Sequence, residues 1–289
     1  MTLGSRTGYL FVAFPLAAIT LFTLVPTAAG VLASLFDWNG IGRPRFVGPA
    51  NFIALFDPSV DPLFWRSVAN TVAFALITTP IATIAGFLLA LPASADWFVG
   101  RTLVRACLFL PTIISIVAVG VLWRWLLSDE IGPVPNALRA IGLRPPNFLQ
   151  DGLWPMASIM AVQVWRGVGF AFVLYLAAFS GVDRSLTEAA AVDGATGWRS
   201  VWHVSRPQVR PTTAFLLITG VIGSLQVFDI VLAMTAQAVS GTTIVLNYSI
   251  YDEFRQSRLG YASAIGVVIF ALSAALTAAQ ARLLRERSA

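Results

Sequence analysis

Lysine is absent from this chain: all nineteen basic residues are arginine. A P-loop sets a lysine on the nucleotide phosphates, so an ordinary Walker A site is excluded. Schiff-base and lysine-base catalysis are excluded with it. Histidine and cysteine are nearly absent, with one of each, His203 and Cys107. Together they cannot build a His/Cys metal cluster, and no metal site is expected. A single cysteine forms no internal disulfide and says little about compartment. Cys107 lies in an apolar run and is expected as a small buried hydrophobe. Charge is scarce too, at 11% of residues, where a soluble domain carries about a quarter.

What is abundant is apolar. Hydrophobic residues make up 57% of the chain and the mean hydropathy is +0.78. That is the composition of a membrane protein. The net charge of +5 does not indicate nucleic acid, because the arginines are scattered and gather at the ends of apolar runs, as topology signals do.

Six runs are long enough to cross about 30 Å of hydrocarbon as helices: 9–35, 68–91, 106–127, 154–181, 212–235 and 261–284. The expected fold is an all-α membrane protein with six transmembrane helices forming one domain over 1–289. Pro15, Pro26, Pro80 and Pro111 fall inside these runs, where neighbouring helices can satisfy the freed carbonyls. The first run is too long for a cleaved signal, and no small-residue cleavage pattern follows a short core. With the N-terminus inside, segments 1–8, 92–105, 182–211 and 285–289 hold nine arginines, and Arg282 adds to that side. The longer outside loops hold seven, with most of the acids, Asp151 among them. Arginine density therefore favours both termini inside. Trp38, Trp65, Trp123, Trp125 and Trp154 fall near the outer boundary, as an aromatic belt would.

Ionisable residues inside a membrane are costly and are functional candidates. Arg124 lies near the outer end of the third run and is expected to snorkel to the interface. Arg166 lies about 18 Å into the fourth helix at 1.5 Å per residue and is not expected to face lipid. Asp229 lies toward the outer end of the fifth run, and an Arg166–Asp229 pair is one arrangement the sequence permits. Asn70, Gln163, Ser224 and Gln226 are further polar candidates for a translocation path. Trp165, Phe170 and Tyr175 are candidate stacking faces for a sugar. Interhelical hydrogen bonding is the structural alternative for each polar residue taken singly.

One stretch, DRSLTEAAAVDGATGWRSVWHVSRPQVRP (183–211), is polar in this apolar chain. Ser185 to Glu188 has the form of a capping box, and three alanines then favour helix. Gly194 suits a left-handed C-cap, and Thr196 can cap a second short helix. Trp198, Val201 and Trp202 make an apolar stripe on that helix. Pro211 suits the first turn of the next span. Physical chemistry alone leaves two readings open, an amphipathic loop on the lipid interface or an element that docks a partner.

The run EAAAVDGATGWRSVWHVSRPQVRP resembles the EAA loop of inner-membrane permeases of binding-protein-dependent ABC importers. Glu188, Ala189, Ala190, Asp193, Gly194, Ala195 and Pro207 match its spacing. FVGPANFIALFDP (46–58), FWRSVANT (64–71), FLPTIISIVAVGVLWRWL, VWRGVGFAFVLYLAAF and LGYASAIGVVIF resemble the carbohydrate-type permeases of the maltose and glycerol-3-phosphate class. The resemblance covers nearly the whole chain. One departure follows SLQVFDIVLAMT, where AQAVSGTT stands in place of the Gly-Gly-Pro turn frequent in the class.

The resemblance implies a type I importer bundle in a bacterial inner membrane. It implies a coupling helix seated in a cytoplasmic ATPase, whose dimer closure on ATP drives alternating access. Glu188, Ala189, Ala190, Asp193, Gly194, Ala195, Gly197 and Trp198 would be the ATPase-coupling residues, Glu188 and Gly194 setting the loop geometry and residues 195–202 supplying the docking surface. ATP and Mg would sit on that partner, leaving this chain without a cofactor and without catalysis. Further implied partners are a second, homologous permease and an extracytoplasmic solute-binding protein. The cargo would be a sugar, an oligosaccharide or a glycerol phosphate-type solute. A self-sufficient secondary transporter is disfavoured by a single intramembrane Asp and no evident repeat. No nucleophile–base or metal set remains to support a membrane-embedded enzyme. The outer arginines Arg43, Arg45, Arg139 and Arg144 suit an anionic ligand, an acidic patch on a docking protein, or plain solvation.

Overall fold

The computed structural model describes residues 5–94, 101–150, 152–195, 197–236 and 239–286. Thr196, read as a cap, Asp151 and Arg287 lie outside the described residues. Among the described residues the fold is all-α apart from one hairpin of two-residue strands, and four helices are long and apolar enough to cross a membrane: Phe11–Ala33, Phe64–Ser94, Trp154–Ser180 and Leu259–Arg282. Two bent pairs bring the number to six when each counts as one span.

Those bent pairs are the third and fifth spans. The third is α5 (Arg101–Ile113) followed by α6 (Ile116–Leu126), bent by 101°. Ser115 breaks it with an extended ψ of 133°. It sits among Ile113, Ile114, Ile116 and Val117, whose branched side chains lose rotamer freedom in a helix, while serine competes for backbone partners. The fifth is α12 (Arg210–Leu225) followed by α13 (Asp229–Thr235), bent by 51°. Phe228, at φ −152° and ψ −59°, leaves the helical region between them.

One compact unit comprises Met1–Trp65 and Leu246–Leu272. It contains α1 (Ser5–Ile19), one π turn (Thr20–Leu24), α2 (Val25–Ala33), the strands β1 (Phe36–Asp37) and β2 (Arg45–Phe46), and α3 (Ala50–Phe56). It also holds α14 (Leu246–Arg255) and the first half of α15 (Leu259–Glu286). The strands pair antiparallel, Phe36 opposite Phe46 and Asp37 opposite Arg45. Asn51 Nδ2 donates to the carbonyls of Ser34 and Phe36 at 2.8 and 3.0 Å, tying α3 to the end of α2. Asp61 accepts from the backbone N–H groups of Leu63 and Phe64 and from the Tyr261 hydroxyl, at 3.1, 2.9 and 3.0 Å. Trp38 and Trp65 each donate their indole N–H to a local carbonyl, of Gly42 and Phe56.

The second unit comprises Arg66–Val245 and Ser273–Ala289. It holds most of α4 (Phe64–Ser94), then α5, α6, α7 (Pro133–Ala140) and α8 (Trp154–Ser180). Next come α9 (Arg184–Val192), α10 (Trp198–Ser200), a π turn (Val201–Ser205), α11 (Arg206–Gln208), α12 and α13. Its core gathers Ala90, Ala93, Ala171, Phe172, Tyr175, Leu176, Val209 and Leu216, with Phe87 and Phe179 packed against it. Small residues let the helices approach closely, as membrane helices do without a hydrophobic driving force between them. A Cβ on Gly169 of α8 would lie 2.0 Å from the Leu108 carbonyl oxygen of α5. A Cβ on Gly120 of α6 would lie 2.6 Å from Ala233 Cβ of α13.

Cys107 corrects its expectation: it is exposed on α5, near exposed Leu103 and Leu110. An apolar residue on a membrane helix is as well solvated by lipid as by protein, so hydrophobicity does not mark the inside.

Replacing Gly169 with Ala should force α5 and α8 apart. The variant is expected to lose about 1–3 kcal/mol, read as a lower melting temperature of the detergent-purified protein. Gly30→Ala in α2, where nothing lies within 4 Å, should be neutral or stabilising by up to about 1 kcal/mol.

Candidate functional site: a cytoplasmic-type loop and a polar cavity

The loop from 183 to 211 is built by local rules. Asp183, with extended φ −65° and ψ 121°, caps α9 by accepting from the Ser185 backbone N–H at 2.9 Å. That N–H and the Ser185 hydroxyl hold the Asp183 carboxyl below its usual range. Asp183 thus takes the role expected of Ser185: the helix starts earlier, and a carboxylate is the stronger acceptor at a helix N-terminus. Glu188, Ala189 and Ala190 lie within α9, the first two exposed.

Asp193 closes α9 as its C-cap, and Gly194 follows in the left-handed region at φ +77°. Ala195 N–H bonds the Ala190 carbonyl at 2.7 Å and Gly194 N–H bonds that of Ala191 at 3.1 Å. This is the Schellman pairing expected of Gly194. Gly197, at φ +57° and ψ −127°, turns the chain again just before Trp198. Gly194 and Gly197 thus both adopt positive φ.

Beyond Gly197, α10, the π turn and α11 follow one another and bring Trp198, Trp202 and Arg206 into one row. The indoles stack at 6.2 Å and 30°. The Arg206 guanidinium lies 3.9 Å over the Trp202 ring. His203 Nδ1 lies 3.0 Å from the Arg199 carbonyl. Trp198 is 58% exposed, and Val192 on α9 is 89% exposed. Pro211 occupies the first turn of α12, as expected.

A cavity of about 420 Å³ opens between α4, α5, α8 and α12. Gln163 and Arg166 line it, together with Phe170 and Ser224. The remaining polar lining consists of Thr78, Thr79, Thr83, Thr112 and Thr219, which sequence reasoning missed. Ser224 lies 3.3 Å from the Thr78 hydroxyl and 3.1 Å from that of Thr79, joining α12 to α4. Thr112 and Thr219 donate back to their own helices, to Phe109 O and Phe215 O at 2.6 and 2.7 Å. Their remaining lone pairs are left to accept from whatever enters. The Gln163 side-chain oxygen is buried without a partner. A threonine bonded to its own helix is ordinary in an apolar run. The one available signal was Thr79, Thr83 and Ala82 on one face of α4.

Arg166 does not pair with Asp229. Its Nε donates to the Pro111 carbonyl and its Nη2 to that of Ile114, both at 3.3 Å. The break at Ser115 leaves the last carbonyls of α5 without a following turn to bond them. The guanidinium supplies those donors, and the helix carboxyl end supplies partial negative charge. Arg124 has the same role at α13, where its Nη1 reaches the Ala233 carbonyl at 3.5 Å. It is half-buried against that helix end.

Five other candidates lie outside the cavity lining. Asn70 Nδ2 donates to the carbonyls of Gly241, Thr242 and Ile244, at 3.4, 3.3 and 2.8 Å, and so pins the turn after α13. Tyr175 is buried in the core, its hydroxyl 2.8 Å from Thr213. Gln226 is the exposed C-cap of α12, and Asp229 is the exposed first residue of α13. A carboxylate at that position faces the positive end of the helix dipole. Trp165 packs edge-on against Trp123 at 5.6 Å.

Comparison with known proteins agrees with this architecture. Residues 62–288 match the family described as the binding-protein-dependent transport system inner membrane component. The lactose transport system permease protein LacF of Rhizobium radiobacter is 34% identical over 286 residues, 97% of this chain and 94% of that protein. The sn-glycerol-3-phosphate transport system permease protein UgpA of Brucella abortus is 30% identical over 283 residues, 96% and 94% of the two chains. A chain of a bacterial alginate ABC transporter, solved in complex with an alginate pentasaccharide-bound periplasmic protein, superposes with a TM-score of 0.84 at 26% identity. That match covers 97% of this chain and 96% of the other. A helical bundle with broken spans and a glycine-turned loop before its fifth span is thus accounted for by descent: the chain is a multi-pass inner-membrane protein of the binding-protein-dependent transport system inner membrane component family.

Proposed function

We propose that this chain is the membrane subunit of an ATP-driven importer that takes a carbohydrate or polyol phosphate from an extracytoplasmic binding protein and releases it into the cytoplasm by alternating access. The observation that carries the coupling half is the exposure of apolar side chains on a loop that is otherwise polar. Val192, Trp198 and Leu186 stand 89%, 58% and 49% exposed there. A cluster of this kind on a short, tightly turned element suits a partner cleft. The partner is an ATPase chain that holds ATP and Mg; this chain has no lysine to place on a phosphate. A second, homologous permease completes the pathway.

In this reading Glu188, Ala189 and Ala190 lie in the docked helix. Asp193, Gly194, Ala195 and Gly197 fix the turn that presents it, and Trp198 fills the partner surface. The turn is stiff because its carbonyls are already bonded, so ATPase closure moves the loop as a body rather than unravelling it. That displacement passes through Pro211 into α12, which lines the cavity. The relatives support the cargo class: their names refer to lactose, sn-glycerol-3-phosphate and alginate. The cavity chemistry agrees. Acceptor oxygens on Thr112, Thr219 and Gln163 suit hydroxyl donors, Arg166 supplies a donor of its own, and Phe170 offers an apolar face. Asn70, Tyr175, Gln226 and Asp229 shape the pathway from outside its lining.

Gly194→Val should uncouple transport. A β-branched residue in the left-handed region costs about 1–2 kcal/mol or more, which distorts the turn without emptying the core. The reconstituted complex should keep its ATPase and lose uptake by about tenfold or more. Normal uptake by an intact complex would remove Gly194 from the coupling role. Gln163→Leu should lower uptake about tenfold, the loss of one buried hydrogen-bonding group, with assembly and basal hydrolysis unchanged. The cargo itself can be read from the co-purifying binding protein. Its melting temperature should rise with the true solute by mass action, tested across neutral sugars and glycerol phosphates.

A further inference from the structure

A second concavity, of about 450 Å³, lies between α5 and α8 and has no part in the polar cavity. Ala106 and Phe109 form one wall, and Val173, Leu176 and Ala177 the other. Gly169 faces Leu108, and Arg166 faces Pro111 and Ile114. The two helices therefore run antiparallel, so Arg105 and Ser180, which both line the groove, lie toward the same end of it. That end leads within three residues into the Asp183 cap, so it lies on the side of the loop.

Arg105 is exposed, and its bond is to the Ala93 carbonyl at 3.4 Å, near the end of α4. Among the described residues no carboxylate pairs with it. The Ser180 hydroxyl is already spent on the Leu176 carbonyl at 2.9 Å. The groove thus joins one exposed cation, with no carboxylate on it among the described residues, to an apolar trough. Residues 173–180 rise about 10 Å, some two-thirds of one leaflet of a bilayer about 30 Å thick.

We infer that this groove holds an acyl chain of an anionic phospholipid from the cytoplasmic leaflet, with the phosphate on Arg105. A free phosphate would leave the apolar trough unused. An apolar helix laid over the groove would bury the Arg105 charge without a partner, which is costly. An anionic lipid satisfies both ends, and basic sites between helices on the cytoplasmic side attract such headgroups.

The test uses the assembled complex in nanodiscs of equal phosphatidylglycerol and phosphatidylcholine, with retained lipid counted by native mass spectrometry. The wild type should retain phosphatidylglycerol preferentially. Arg105→Gln should reduce that preference about five-fold, the effect of one basic residue near an anionic surface, while Arg105→Lys keeps most of it. Ala177→Phe, on an exposed position, should fill the trough and lower retention of both lipids. Unchanged retention in Arg105→Gln or in Ala177→Phe overturns the inference. So does an Ala177→Cys cross-link, in a Cys107→Ser background, to a helix of the second permease. Lipid retention is read without transport, so a failure here is separate from any failure of the importer assignment.

Discussion

A carbonyl oxygen at the carboxyl end of a helix has no partner in its own helix, and in hydrocarbon it finds none in the solvent. A membrane protein that breaks its helices must therefore bring donors to each break. Here the donors are mostly arginine. Arg166 serves the end of α5, Arg124 the end of α13 and Arg105 the end of α4. Asn70 does the same for the turn after α13 with a neutral amide. Each of these guanidiniums bonds a carbonyl at the negative end of a helix.

The cavity depends on this device. Were the third span straight, α5 and α6 would continue as one rod. The bend of 101° instead turns α6 toward α13, where Gly120 and Ala233 meet closely. Arg166 both holds the bend and lines the space that the bend helps to define. One residue thus links the shape of the cavity to its polarity, and the threonines supply the rest at no cost in unpaired donors.

The loop follows a different logic because water can satisfy its backbone. Its geometry comes from residues close in sequence: the Asp183 cap, the paired carbonyls around Gly194 and the second turn at Gly197. Such local rules act at short range, and this is why most of the loop was legible in the sequence. The one error there, Ser185 for Asp183, is a shift of two positions between two good capping residues. The cavity was legible only in part. Gln163, Arg166, Phe170 and Ser224 stood out as polar or aromatic residues in apolar runs. The threonines did not, since a threonine that bonds its own helix, as Thr78, Thr112 and Thr219 do, is ordinary in an apolar run. Asn70, Tyr175, Gln226 and Asp229 stood out equally and serve turns, core and helix ends.

The sequence by itself determined the membrane class, the number of apolar segments, the turn chemistry of the loop and the lack of a lysine for a Walker A motif. All of these follow from composition or from contacts within a few residues. Only the tertiary structure decided that Arg166 faces backbone carbonyls and not Asp229, that the third and fifth spans are broken, and that Cys107 lies on the outside. Those outcomes turn on which helices meet and at what depth. Hydropathy carries no record of that, since lipid and protein interior are equally apolar.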